Sequence, residues 1–383
     1  MENLTIQSVA NAVILPYRRC RHSTGLGGVI DETGVYVERS YLHGGLFEHG
    51  GSYDFDKSTI VKSDDRVVYF GYYLPHWGHF LIDCLGRMWP FASPGNEQYE
   101  NYKIAYISNS HEGMYDNCYE FFAALGINRK RIIQVDKPTQ FREVLIPDVD
   151  YTAEPNRVFA PQYLRLYDTV VEDILSKHNL GEVKKKFGNI EKVYFTRSKF
   201  RGAKSREVGL QIIDEVMKNG GYNIIAPEKL TLAEQVLIWN SAKRIACING
   251  TIPLNVIFHI KNRNPLTLTV LNKMPHIHRN LMEYLSLRGD VICEFVDVQD
   301  ARIKDLSVGD GRGLGPFRVG ISTELTNWMV QNHIPTDSVL YKENLPLKKL
   351  QYNLMFLINS PRPWLAQHLP ESLRSLARRI LRK

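Results

Sequence analysis

Residues 66–90 read RVVYFGYYLPHWGHFLIDCLGRMWP: an apolar run of strand character, a break at Pro75, then a patterned segment. Wound at about 100° per residue, residues 76–90 put Trp77, Phe80, Leu81, Cys84, Leu85 and Met88 on one side of a helix. That side is core. His76, His79, Asp83 and Arg87 gather in a separate narrow stripe, while Gly78 and Gly86 fall where a neighbouring backbone can come close. Such a stripe is ordinarily the solvated face of an amphipathic helix. His79 and Asp83, one turn apart and just beyond a strand, equally suit the lining of a cleft.

Strand followed by helix is the pattern that extends outward from this stretch. Strands are expected at 103–108 and 131–135 around a helix at 115–125, an alternation that argues for a mostly parallel sheet covered by helices. Upstream, residues 1–60 are punctuated by Gly25-Leu26-Gly27-Gly28, Gly44-Gly45 and Gly50-Gly51, which reads as an antiparallel, loop-rich opening. The first of these clusters lacks the Lys-Ser/Thr of a phosphate loop and is not read as one. Asp148-Val149-Asp150 matches the D-x-D of metal-dependent sugar transferases in form, but it follows Pro147 in a loop with no acidic cluster, so no metal is assigned to it.

Downstream, a helix begins at Pro161 and is closed by Gly181 and the run Lys184-Lys185-Lys186, read as a solvated linker with a domain boundary near residue 185. The alternation then repeats. Strand 192–196, helix 206–218, strand 222–226, a helix opened by the capping box Thr231-x-x-Glu234, strand 244–248, a helix through His259 and strand 266–271 make a doubly wound domain. Ligands of such domains sit beyond the carboxyl ends of strands. One such end carries Thr196–Glu207, with five cations in the ten residues from Arg197 to Arg206; another carries Asn249-Gly250-Thr251, a turn whose glycine lets backbone approach a phosphate. A basic loop and a helix-capping turn are the structural alternatives.

The chain has 383 residues, 44% hydrophobic and 23% charged, which is a globular composition longer than one core usually holds. Domains are expected at 1–185, 186–300 and 301–383. A net charge of +7 suits a phosphate-bearing or anionic partner without choosing among nucleic acid, membrane and nucleotide sugar. Five cysteines without a C-x-x-C pair predict neither a zinc site nor a disulfide framework and point to a reducing compartment. No signal peptide and no run of about 18 apolar residues is read.

Together, Trp77-Gly78-His79-Phe80-Leu81-Ile82-Asp83, Tyr194-Phe195-Thr196-Arg197 with Arg206-Glu207, Pro227-Glu228-Lys229-Leu230 with Glu234-Gln235, and Asn249-Gly250-Thr251 with Asn255 resemble glycosyltransferase family 61 over residues 65–275. The resemblance implies an α/β fold of GT-B type, two doubly wound Rossmann-like domains facing a cleft behind a glycine-rich β segment. It also implies inverting transfer from a nucleotide sugar held mainly by the second domain, and a UDP-sugar is the expected substrate. The chain departs from the family pattern at Asn249, where a histidine is usual, and at His76, where an asparagine is common. On this basis Arg197 and Arg206 are expected to neutralise the diphosphate, and Glu207 and Glu228 to orient them or bind ribose. Asn249, Gly250 and Thr251 would contact phosphate, Asn255 would belong to the donor site, and His79 or Asp83 would serve as general base or orient it.

The expected acceptor is a glycan or lipid-linked glycan in bacterial surface-polysaccharide synthesis, with neither metal nor cofactor. A basic amphipathic tail at 361–383 suits the anionic inner face of a plasma membrane, or else packs on the body, and the enzyme is expected in the cytoplasm. The rivals are a nucleotide-sugar epimerase of the same architecture and a basic nucleic-acid-binding protein. The second is disfavoured because aromatics are not interleaved with the basic residues.

Overall fold

The computed structural model describes residues 4–20, 25–44, 47–152, 157–261, 264–306, 315–336 and 343–359. It is a mixed α/β protein of two compact units, Met1–His178 with Thr231–Val236, and Asn179–Leu230 with Leu237–Lys383. The tail 361–383 lies outside the described residues. Among the described residues no helix is long and apolar enough to cross a membrane.

In the second unit five strands are all parallel, in the order Asn223–Ile225, Lys192–Phe195, Arg244–Ile248, Leu266–Asn272, Val291–Asp297. Their near-continuous apolar sequence fits strands covered on both faces. Tyr194 and Phe195 are successive and so point to opposite faces. Tyr194 packs with Ile213, Val216 and Met217 of helix Leu210–Asn219 and with Leu325, Trp328 and Met329 of helix Thr323–Gln331. Phe195 stacks on Trp239 of helix Leu232–Trp239 at 5.9 Å. The sheet is therefore doubly wound, and residues beyond 300 share its core. Numbered along the chain its order is 2-1-3-4-5, which puts the topological switch point between Lys192–Phe195 and Arg244–Ile248.

The first unit departs from the doubly wound expectation. Its nine-stranded sheet is mixed: Thr139–Pro147, Val61–Tyr73, Lys103–Ser108 and Ile132–Gln134 are parallel, whereas Ile6–Ala10, Val13–Arg19 and Gly25–Ile30 join antiparallel. One face meets helices, with Phe70 on Phe122 at 5.6 Å and Phe121 on Tyr167 at 5.9 Å. On the other, Tyr69 and Ile107 pack with Ile14, Val29, Val37 and Leu42 of the glycine-rich opening, a cluster without an α-helix residue. The opening strands thus take the place of a second helical layer.

Two local expectations are corrected. Residues 76–90 are not one helix: an α-turn Trp77–His79 passes into a π-helical turn Phe80–Cys84 and then 3-10 turns Leu85–Arg87 and Trp89–Ala92. The widened turn is supported from outside, since Leu81 O accepts hydrogen bonds from the hydroxyls of Tyr163 and Tyr167. The run Lys184-Lys185-Lys186, read as a linker, lies in helix Leu180–Phe187, where Asn179 caps Gly181 at 2.7 Å and Val183 is buried.

Candidate functional site

In the second unit the chemistry gathers at the carboxyl ends of the central strands. Thr196 and Ser198 leave strand Lys192–Phe195 and each donates a hydroxyl to Asp214, both at 2.6 Å, which fixes the start of the basic loop. Arg197, held by that anchor, forks onto Glu207: Nη2 lies 2.7 Å from Oε1, and Nε lies 3.1 Å from each oxygen. Two of its three nitrogens are thereby spent. Nη1 lies 4.0 Å from where a side chain on Gly250 would begin; Gly250 has a φ of +150°, which glycine tolerates. Arg197 and the Gly250 turn therefore meet at the switch point, where the sheet topology directs a ligand.

Glu207 carries a second cation. Lys273, one residue past strand Leu266–Asn272, puts Nζ 2.6 Å from Oε1 and 4.4 Å from the Phe317 ring centroid. All three charges are largely withdrawn from water, with side-chain exposures of 2% for Glu207, 6% for Lys273 and 16% for Arg197. Burial pushes the Glu207 carboxyl up, but Lys273 and Arg197 outweigh it and hold the group below its usual range. Burial pushes Lys273 down to about 8 in spite of Glu207. The spacing 197–206–207 signals the first two residues; Lys273 follows a different strand and carries no local signal.

The other expected residues are disposed differently. Glu207 and Arg206 precede helix Leu210–Asn219 rather than opening it, because Gly209 at φ +93° starts the helix and Glu207–Val208 pairs as a short strand with Phe317–Arg318. The Arg206 side chain is exposed and its charge reaches Lys273. Glu228 is exposed on the turn Pro227–Lys229. Asn249 is fully buried and spends one of its two amide hydrogens on His276 O at 3.1 Å, while Oδ1, an acceptor, is without a donor. Thr251 precedes the 3-10 segment Ile252–Phe258, whose seven residues, Asn255 included, are all buried.

The first unit has its own polar cluster. His79 Nδ1 lies 2.7 Å from Asp83 Oδ2, and Asp83 Oδ1 lies 3.3 Å from Arg157 Nη2, whose guanidinium rests over Tyr151 at 5.0 Å. Tyr151 OH donates to Asp83 O at 3.0 Å, so side chain and backbone of Asp83 are both fixed. The carboxylate selects the imidazole tautomer with hydrogen on Nδ1, and the neutral ring then carries its lone pair on Nε2. Asp83 is 10% exposed and His79 31%, an arrangement able to take a proton from a hydroxyl at the surface of the unit. The His76 ring lies tilted against that of His79, 4.9 Å between centroids. Arg87 leaves the stripe: it is buried and donates to Arg39 O and Tyr41 O at 2.7 and 2.8 Å.

The sequence did not single out His49 or Arg157. His49 is buried against the Tyr72 ring at 3.9 Å; burial holds it neutral, down to about 4, although the Asp83 charge pulls the other way. Gly86 behaves as expected, since Asp150 N–H donates to its carbonyl at 2.9 Å. The D-x-D pair diverges. Asp148 is taken by Thr5 and Arg39, both at 2.8 Å, whereas Asp150 is fully buried and burial pushes its carboxyl well above the usual range. Among the described residues, no three His, Cys, Asp or Glu side chains gather as a metal cage.

The family model described as Glycosyltransferase 61 matches residues 77–266. The chain belongs to glycosyltransferase family 61. It is therefore a glycosyltransferase, as the motifs at Trp77–Asp83, Arg197–Glu207 and Asn249–Thr251 led one to expect. The family region opens on Trp77 and takes in His79, Asp83, Arg197 and Gly250, whereas His49 and Lys273 lie outside it. No curated protein matches the chain.

Proposed function

We propose that this family 61 member transfers a sugar, with inversion, from a UDP-sugar to a hydroxyl of a polysaccharide or oligosaccharide, in a GT-B division of labour between a donor-binding second unit and a base-supplying first unit. The observation that carries the reading is the Arg197 fork beside Gly250 at the switch point of a doubly wound sheet. A donor diphosphate would meet Arg197 Nη1 and the backbone of Gly250 and Thr251, with Arg206 adding charge from the loop. Glu207 holds Arg197 in place, and Glu228 is assigned to the ribose. Asn249 fixes the turn through one amide hydrogen on His276 O, and its second amide hydrogen is assigned to phosphate. Asn255, buried in the following segment, would support the same turn.

In the transfer itself, His79 would take the proton of the acceptor hydroxyl as that oxygen bonds to the anomeric carbon. The bond from that carbon to the diphosphate breaks on the opposite face, and Asp83 stabilises the imidazolium. UDP leaves against Arg197 and Arg206, cations doing the work that a divalent ion does in metal-dependent transferases. The acceptor is assigned to surface-polysaccharide synthesis in a bacterial cytoplasm, with the basic tail 361–383 as the membrane-facing segment. The test is a thermal-shift screen against UDP, GDP, CMP and dTDP sugars, in which a donor at 100 times its Kd adds about 2.7 kcal/mol of stability. An NMR reading of the anomeric configuration of the product follows. Failure of every nucleotide sugar to stabilise the protein would refute the proposal, and a retained configuration would refute inversion.

A further inference from the structure

Lys273 lies beyond the family-matched region, which ends at residue 266, and no motif announced it. Its ammonium is enclosed by Glu207 at 2.6 Å and by the Phe317 ring, so it has little surface of its own to offer a ligand. Its electrostatic effect is large nonetheless. An Arg197–Glu207 fork alone is a neutral pair, and a diphosphate approaching it would meet attraction from the guanidinium and repulsion from the carboxylate in nearly equal measure. Two cations on one carboxylate leave a net positive charge in a site of low water content, beside the one Arg197 nitrogen that faces the Gly250 turn.

We propose that Lys273 is a positioning residue of the donor site: by neutralising Glu207 it leaves the charge of Arg197 free to act on the diphosphate of a nucleotide. This rests on the donor reading above and adds to it a residue outside the family region and a pH response. The groups facing Lys273 are Glu207, Arg197, Arg206, the Phe317 ring, and His278 ahead of helix Arg279–Arg288. The arginines keep their charge throughout the neutral and alkaline range. His278 is pushed down by burial and then by Lys273 itself, so it is neutral there too. Above neutrality Lys273, which burial brings down to about 8, is the member of this group that changes charge. An anion that binds best when Lys273 is protonated must bind less well as pH rises through that value.

The experiment is calorimetric titration of UDP into the full chain at pH 7 and pH 9. For a group titrating at about 8, the protonated fraction falls about ten-fold over that interval, so parent affinity should fall by up to about ten-fold. Lys273→Met should bind about ten-fold more weakly at pH 7 and show no further loss at pH 9, and Lys273→Arg, which keeps its charge, should restore affinity and flatten the profile. A merely structural lysine would lower melting temperature without flattening that profile. Equal affinity and an identical pH profile in the parent and in Lys273→Met would overturn the inference and leave the donor site standing. If the methionine variant does not fold, a parent affinity unchanged between pH 7 and 9 overturns it alone. A parent that binds no nucleoside diphosphate at either pH overturns the donor reading, and this inference with it.

Discussion

Glu207→Gln removes the anion from a buried cluster of three charges while keeping its shape. In the parent, Glu207 is 2% exposed and receives Lys273 at 2.6 Å and Arg197 at 2.7 Å. The glutamine can still accept a hydrogen bond, but Arg197 and Lys273 lose their counter-charge in a place where water cannot supply one. Removing one partner of a buried pair costs about 3–5 kcal/mol. For a unit of this size each kcal/mol moves the melting temperature by about 2–4 °C, so at pH 7 the variant should melt roughly 6–20 °C below the parent. The loss should also depend on pH, because Lys273 titrates at about 8 in the parent and lower still without Glu207. At pH 9.5 the lysine is largely neutral in both proteins, one of the two stranded charges is gone, and the gap should narrow to about half. In the parent, the depressed Lys273 releases its proton near pH 8 while the unfolded chain holds its own to about 10.4, so this group's contribution to stability rises with pH across that window. Differential scanning fluorimetry at the two pH values reads both effects. A variant melting within about 2 °C of the parent at pH 7, or an offset unchanged at pH 9.5, would refute the ion-cluster reasoning.

Three other outcomes follow from the same geometry. His79→Ala and Asp83→Asn should each lower turnover by about 100-fold or more with donor affinity preserved, and unchanged kcat in both would return the Trp77–Cys84 turn to structure alone. Gly86→Ala puts a methyl 2.7 Å from Val149 Cγ1 and 2.9 Å from Tyr151 Cε1, so overpacking should cost about 1–3 kcal/mol in chemical denaturation; a neutral result would mean that the 149–151 segment yields easily. Transfer should persist in EDTA, since Asp148 is committed to Arg39 and Thr5 and Asp150 is fully buried, its carboxyl pushed up by that burial; activity lost in EDTA and restored by manganese would contradict this.

The second unit was the more legible because its strands are apolar on both faces and its turns carry their own chemistry. Strand Arg244–Ile248 appears at its expected bounds. The capping box of the Thr231–Val236 piece, which belongs to the first unit, also forms: Thr231 Oγ1 accepts from Glu234 N and Glu234 Oε2 from Thr231 N, both at 3.1 Å. The first unit was harder, because its second layer is made by strands from the glycine-rich opening, and pairing such as Thr139–Pro147 with Ile6–Ala10 leaves no local periodicity. Of the core face read from Trp77 to Met88, Phe80, Leu81, Cys84, Leu85 and Met88 are buried and Trp77 is half-buried, but Asp83 and Arg87, expected on a separate stripe, are buried as well. The pattern could not reveal the π-helical turn, which depends on hydroxyls of Tyr163 and Tyr167 some 80 positions away. His79–Asp83 was legible as an i,i+4 pair and Arg197–Glu207 as a loop motif. Lys273, Arg157 and His49 meet those pairs only through tertiary folding.

The central claim is that the Arg197–Gly250 corner of the second unit binds a nucleoside diphosphate, and it is tested most directly by titrating UDP into the parent and into Arg197→Ala at pH 7. A charge-assisted hydrogen bond to phosphate is worth about 1.5–3 kcal/mol, and each 1.4 kcal/mol is a ten-fold change in Kd. The account predicts saturable binding by the parent and a Kd raised about 10- to 100-fold in the variant, with circular dichroism of the two alike. Equal affinity in both proteins, or no nucleoside diphosphate bound by the parent, would contradict it.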